Sequence, residues 1–213
     1  MKASIVYDNR SIREDLESDW GFSVFIETER GNILFDTGGD GDILLANMRA
    51  MDIDPESVND IFISHNHFDH IGGLAGFLTM NSNVNVFVPE LFRGVKRAKK
   101  VISIDNRPRE IYKNIYTTGE IDGIEQSLII KDSKGLVLFV GCSHPDMKDI
   151  LKSASLFGRV YAIIGGMHGF NKYELLKDME LICPAHCTQH QREIKEIYQD
   201  KVISGGAGRI IEL

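Results

Sequence analysis

The stretch Ser64–Gly73, SHNHFDHIGG, places His65, His67, Asp69 and His70 within six positions of a chain that has seven histidines in all. It follows DIFI (Asp60–Ile63), a short β-rich apolar run of the kind that forms a buried strand, so the cluster begins at a strand's C-terminal end. Neutral imidazole and carboxylate are common ligands of divalent metals, and a loop reading His-x-His-x-Asp-His can direct its side chains at two ions. A single histidine reads more simply as a surface or hydrogen-bonded residue. A series of them at strand ends does not.

The same placement recurs along the chain. GLVLFVG (135–141) is followed by Cys-Ser-His144, VYAIIGG (160–166) leads to His168, and ELICPA (180–185) leads to His186. If these strands are neighbours in their sheets, the four histidine-bearing ends converge on one edge. ASIVYD, FSVFIET, NILFDTG, VNVFVP and QSLIIKD complete nine expected strands. Helical spacing of apolar residues appears in DILLANMRAM, IGGLAGFL, PELFRGVKRAKK, HPDMKDILKSASL, YELLKDME and TQHQREIKEIYQD. In the third of these, Arg93, Lys96, Arg97, Lys99 and Lys100 read as a solvated helix face, with phosphate recognition as the lesser reading. No Pro/Gly/Ser-rich linker and no internal repeat divides the chain, so residues 1–213 are expected to form one domain.

Composition narrows the function. The chain has 213 residues, 43% of them hydrophobic, enough for a substantial core. Its 24 basic residues against 31 acidic ones give a net charge of −7, which disfavours a nucleic-acid partner. Nothing approaches the roughly eighteen apolar residues of a membrane span, so a cytoplasmic protein without membrane attachment is expected. Cys142, Cys183 and Cys187 are an odd count, as expected of reduced thiols. The CPAHC pair lacks the four ligands of a structural zinc site, and Cys142 reads as a small buried thiol rather than a nucleophile.

SHNHFDHIGG, with ILFDTG (33–38) before it, resembles the signature loop of the metallo-β-lactamase superfamily. WGFSVFIE, GEIDGIEQSLIIKDSKGLVLFVGCSHPD, AIIGGMHGF, PAHCT and GGAGRIIEL resemble more narrowly the subgroup of dihydropterin and ribofuranosylaminobenzene phosphate synthases. The resemblance implies a four-layer αβ/βα sandwich of two mixed sheets, with a metal site at one edge between them. It implies up to two zinc ions, with iron or manganese as alternatives. His65, His67 and His144 match the first ion's ligands; Asp69, His70 and His186 match the second's. Asp36 matches a buried carboxylate that hydrogen-bonds ligand groups and fixes their orientation.

Departures from the pattern qualify what is carried over. Many hydrolases of the superfamily bridge their metals with an aspartate after the strand matching VYAIIGG, where this chain has Gly165 or Gly166. His168 is then expected as a replacement ligand, a general acid or a clamp on an anionic substrate, and Gly166→Asp is expected to tighten the second metal. Trp20 stands where related proteins often have histidine, as a pocket wall or a packing residue. His67 occupies the position of a glutamate in oxygen-reducing di-iron relatives, which argues against that chemistry. The chain is also expected to be shorter than the subgroup, mainly around residues 90–110, leaving the site with less of a lid.

The expected function is metal-assisted hydrolysis of a small anionic ester or phosphate-containing substrate. The alternatives are a transferase using a pterin diphosphate and a non-catalytic metal-dependent sensor.

Overall fold

The structure is a computed structural model that describes residues 1–213, and it divides into two compact units. The first comprises Met1–Ile104 with Gly206–Leu213, the second Asp105–Gly205.

The first unit is a seven-stranded sheet ordered β13-β1-β2-β3-β4-β5-β6. Its strands are β1 (Lys2–Tyr7), β2 (Ser23–Glu27), β3 (Asn32–Phe35), β4 (Val58–Phe62), β5 (Asn85–Pro89), β6 (Lys100–Ile104) and β13 (Ile210–Glu212). Helices α1 (Gly41–Ala50), α2 (Phe68–Ile71) and α3 (Leu74–Met80) lie between them in sequence. Asp40 starts α1 by accepting from the amides of Asp42 and Ile43, as N-cap aspartates do. Leu44 and Met48 of α1 and Leu74, Phe77 and Leu78 of α3 pack on Val6, Phe25, Leu34, Ile61 and Val86. Alternation along the strands turns Phe35, Phe62 and Phe87 to the other face, where they stack with centroids 5.8 and 6.3 Å apart. Both faces are thus apolar and buried, as expected where β3 to β6 run parallel.

The second unit is a six-stranded sheet ordered β12-β11-β10-β9-β8-β7. Its strands are β7 (Arg109–Tyr112), β8 (Ile115–Thr117), β9 (Leu128–Lys131), β10 (Leu136–Val140), β11 (Val160–Gly166) and β12 (Leu181–Ala185). Met147, Ile150 and Ala154 of α4 (Met147–Ala154) and Ile194 of α5 (Gln191–Tyr198) pack with Leu138, Val140, Ile163 and Ile182. Strands β10, β11 and β12 are parallel, so the segments that leave them start from the same edge.

All nine expected strands form. Two expected helices do not. Residues 90–99 form an irregular loop, because Gly94 and Arg97 adopt φ of 93° and 68°, outside right-handed helix, and Arg93 donates instead to the carbonyls of Glu90 and Phe92. YELLKDME yields only a single 3-10 turn at Tyr173–Leu176. No helix of the protein is long and apolar enough to cross a membrane.

Candidate metal centre

In the first unit the parallel pairing of β3 and β4 sets Asp36 and Ser64–His70 at one sheet edge. The Asp36 amide donates to Phe62 O (2.9 Å), the Thr37 amide to His70 O (2.8 Å), and the Gly73 amide to Gly38 O (3.2 Å). The two glycines of IGG make this contact close. A Cβ at Gly72 would lie 2.1 Å from Gly39 O, and one at Gly73 would lie 2.1 Å from Thr37 O. The turn after β3 therefore clamps the histidine loop.

Asp36, fully buried, organises that loop through three bonds. Its Oδ1 accepts from the Ser64 amide at 2.7 Å; its Oδ2 accepts from Ser64 Oγ and His70 Nδ1, both at 2.7 Å. These bonds assign the tautomers of two histidines. The one Ser64 hydroxyl hydrogen goes to Asp36, so Ser64 Oγ, 2.9 Å from His65 Nδ1, accepts from it. His65 and His70 thus carry their protons on Nδ1, which makes Nε2 the acceptor nitrogen of each ring. His65 Nε2 lies 3.1 Å from His67 Nδ1, and His70 Nε2 lies 3.8 Å from Asp69 Oδ2. Two nitrogens bound at about 2.0–2.1 Å to one tetrahedral ion sit about 3.3 Å apart, so the His65/His67 pair fits a divalent metal.

In the second unit the ends of β10, β11 and β12 bring together Cys142, His144, His168, His186 and Cys187. The ligand atoms of Cys142, His144 and His168 lie within 4.8 Å of one another, as do those of Cys142, His186 and Cys187. The His144 and His168 ring centroids are 4.6 Å apart. Ser143, His168 and His186 have φ of 61°, 39° and 49°, a left-handed backbone that costs energy in non-glycine residues and clusters at functional sites. A cavity of about 370 Å³ opens beside His144 and His168, with Asn171 and an Asp146–Lys172 ion pair in its wall.

Glu125 was not singled out from the sequence, yet it shapes this edge. Its buried carboxylate accepts from the amides of Gly141 (3.0 Å), Cys142 (3.0 Å) and Ser143 (3.2 Å) through Oε1, and of His144 (2.9 Å) through Oε2. Four successive amides form an anion-binding nest around one side chain. Cys187 pairs with Cys142, Sγ to Sγ 3.4 Å, and not with Cys183 of its own motif. That hydrogen bond holds the Cys187 thiol below its ordinary pKa despite burial.

The expectation for Gly166→Asp is corrected by geometry. A Cβ at Gly166 would lie 2.3 Å from Gly141 O and 2.7 Å from Cys187 Sγ, and one at Gly165, where φ is 135°, would lie 1.9 Å from Val140 O. Neither position has room for a carboxylate. Gly166→Asp is expected to lower stability by at least about 1–3 kcal/mol, the usual cost of overpacking, without raising metal content. A thermal melt and metal analysis check both. Trp20 is 60% exposed and does not pack into the core; its carbonyl and the Phe68 ring flank Gly39.

The sequence profile described as Metallo-beta-lactamase superfamily matches residues 21–143, and the chain belongs to that superfamily. Its two mixed sheets and few helices are the α/β architecture of the metallo-β-lactamase fold. Tm1679, a solved metal-dependent hydrolase of the β-lactamase superfamily, matches with a TM-score of 0.79 at 26% identity, covering 100% of this chain and 99% of its own. The short form of human tRNase Z shares the fold, with a TM-score of 0.66 at 13% identity over 100% and 99% of the two chains. Among curated proteins, the 7,8-dihydropterin-6-methyl-4-(beta-D-ribofuranosyl)-aminobenzene-5'-phosphate synthase of Methanocaldococcus jannaschii is 29% identical over 265 aligned positions. The match covers 92% of this chain and 90% of the relative. Those positions outnumber this chain's 213 residues, so the relative carries insertions absent here, in line with the expected shortening.

Proposed function

We propose that this protein is a metal-dependent hydrolase whose two units act as one domain on a small anionic ester or phosphate-containing substrate. His65, His67 and His144 are the ligands of one ion; Asp69, His70 and His186 are those of the second. The observation that carries the reading is the Asp36–Ser64–His65 and Asp36–His70 bonding, which turns the Nε2 atoms of two buried imidazoles toward His67 Nδ1 and Asp69 Oδ2, the donors of the same loop. Histidine and carboxylate ligands accept zinc, iron or manganese. A bound divalent ion would supply Lewis acidity and acidify water.

The chain's own residues do the rest. Asp36 and Ser64 orient the imidazoles and Glu125 holds the His144 backbone. Lys172, at the cavity wall, offers a cation to an anionic substrate once it exchanges Asp146 for it. His168, next to His144, is placed to move a proton or clamp substrate.

The test is metal analysis of protein reconstituted in turn with zinc, manganese and iron, followed by phosphodiester, lactone and thioester substrates. Up to two ions per chain are expected. His144→Ala should empty one position and His186→Ala the other, while His168→Ala should keep its metal and lose turnover. Trace uptake of every metal by the wild-type protein sinks the reading.

A second reading, transfer from a pterin diphosphate, draws on the 29% identity to the archaeal synthase. It is distinguished by activity that appears only when both co-substrates are present.

A further inference from the structure

Cys142 belongs to both donor groups of the second unit, the one with His144 and His168 and the one with His186 and Cys187. It and Cys187 are buried, 2% and 8% exposed, yet neither is held in a disulfide. Burial of thiols is ordinary. The arrangement of this pair is not, because the chain makes space for it. Gly166, at the end of the strand between them, has no side chain, and a Cβ there would meet Cys187 Sγ at 2.7 Å and Cys142 Cα at 3.2 Å. His186, in left-handed backbone, and Cys187 follow directly on the end of β12.

Two sulfurs and an imidazole within 4.8 Å are a Cys2His donor set. Thiolates bound to tetrahedral zinc at about 2.3 Å stand about 3.8 Å apart. The observed Sγ–Sγ distance of 3.4 Å therefore needs only a small opening to admit an ion. Three protein ligands with a fourth position open is the arrangement of catalytic rather than structural zinc.

We propose that Cys142 and Cys187 are metal ligands which, with His186, hold a thiophilic ion. The inference rests on the metal-dependent reading above and changes its chemistry: the two thiolates replace Asp69 and His70 in the set that holds the ion at His186. Soft thiolates favour zinc or cadmium over manganese and magnesium, so the ion at His186 is a thiophilic one even though the histidine loop accepts harder metals. No oxidation is involved: each thiol gives its proton to solvent as its sulfur binds the ion.

X-ray absorption at the zinc edge tests this on the wild-type protein, kept reduced with a phosphine that does not compete for zinc. The expected result is sulfur at about 2.3 Å alongside nitrogen and oxygen at about 2.0–2.1 Å. In the cobalt-substituted protein, a thiolate-to-cobalt charge-transfer absorption should appear. It should weaken in Cys142→Ser and in Cys187→Ser, disappear when both substitutions are combined, and be kept in His67→Ala. A metal-loaded wild type with only nitrogen and oxygen neighbours overturns the proposal and leaves the hydrolase reading standing. A charge-transfer band that survives both cysteine substitutions also overturns it. A protein that takes up no metal overturns both.

Discussion

Asp36→Asn is expected to lower metal affinity or activity by about 10–100-fold, the usual cost of disturbing a group that orients metal ligands, while the protein stays folded. Asparagine tolerates the left-handed backbone that Asp36 adopts at φ 55°, so the turn survives. The hydrogen bonds do not. Asp36 accepts from three donors, the Ser64 amide, Ser64 Oγ and His70 Nδ1, and an asparagine has one oxygen in place of two. If that oxygen keeps the Ser64 amide, the new NH2 faces His70 Nδ1 and moves its proton to Nε2, which removes the lone pair the metal needs. The same NH2 faces Ser64 Oγ and releases its hydroxyl hydrogen, so His65 loses its tautomer too. If the amide flips, NH2 opposes the buried Ser64 N–H, and an unmet buried donor costs about 1–3 kcal/mol. Either rotamer damages the histidine loop. Calorimetric metal titration with turnover on the best substrate measures the effect, and wild-type values of both reduce Asp36 to a turn residue.

How much of this was legible in the sequence depended on how local each signal was. The histidine loop and Asp36 sit in contiguous motifs beside apolar runs, and the structure brings Asp36 within 2.7 Å of His70. The nine inner or well-patterned strands announced themselves by unbroken β-rich runs. Of the missed ones, β7, β8 and β13 have only three or four residues, and β6, β7 and β13 are sheet edges. Edge strands are half-exposed, and KVISI in β6 has the burial of a surface segment, so its lysine-rich approach read as helix instead. The Cys142–Cys187 pair and the Glu125 nest were invisible for another reason. Their partners are 45 and 16 to 19 residues apart, the first joined only when β10, β11 and β12 align in parallel and the second when β9 pairs antiparallel with β10. No spacing rule encodes a contact that topology creates.

Glu125 accordingly carries the other large expected effect. In Glu125→Ala four consecutive amides, Gly141 to His144, lose an acceptor that is itself buried. Hydrogen bonds to a charged group contribute about 1.5–3 kcal/mol each, and because the four share one carboxylate their loss is less than additive. A total destabilisation of about 3–5 kcal/mol is expected, read as a lowered urea midpoint. Glu125→Gln separates this scaffold effect from a metal effect. The glutamine oxygen can occupy the place of Oε1 and keep the Gly141, Cys142 and Ser143 amides, which leaves its NH2 against the His144 N–H where Oε2 stood. Only the His144 anchor is then broken. The fold should lose much less stability than in the alanine variant, about 1–3 kcal/mol for one unmet donor, while the ion that depends on His144 binds more weakly. A glutamine variant with wild-type urea midpoint and wild-type metal content would mean that the nest merely fills space. A variant that keeps most of its stability but loses the His144-dependent ion would show that a carboxylate 19 residues away in sequence positions the ligand.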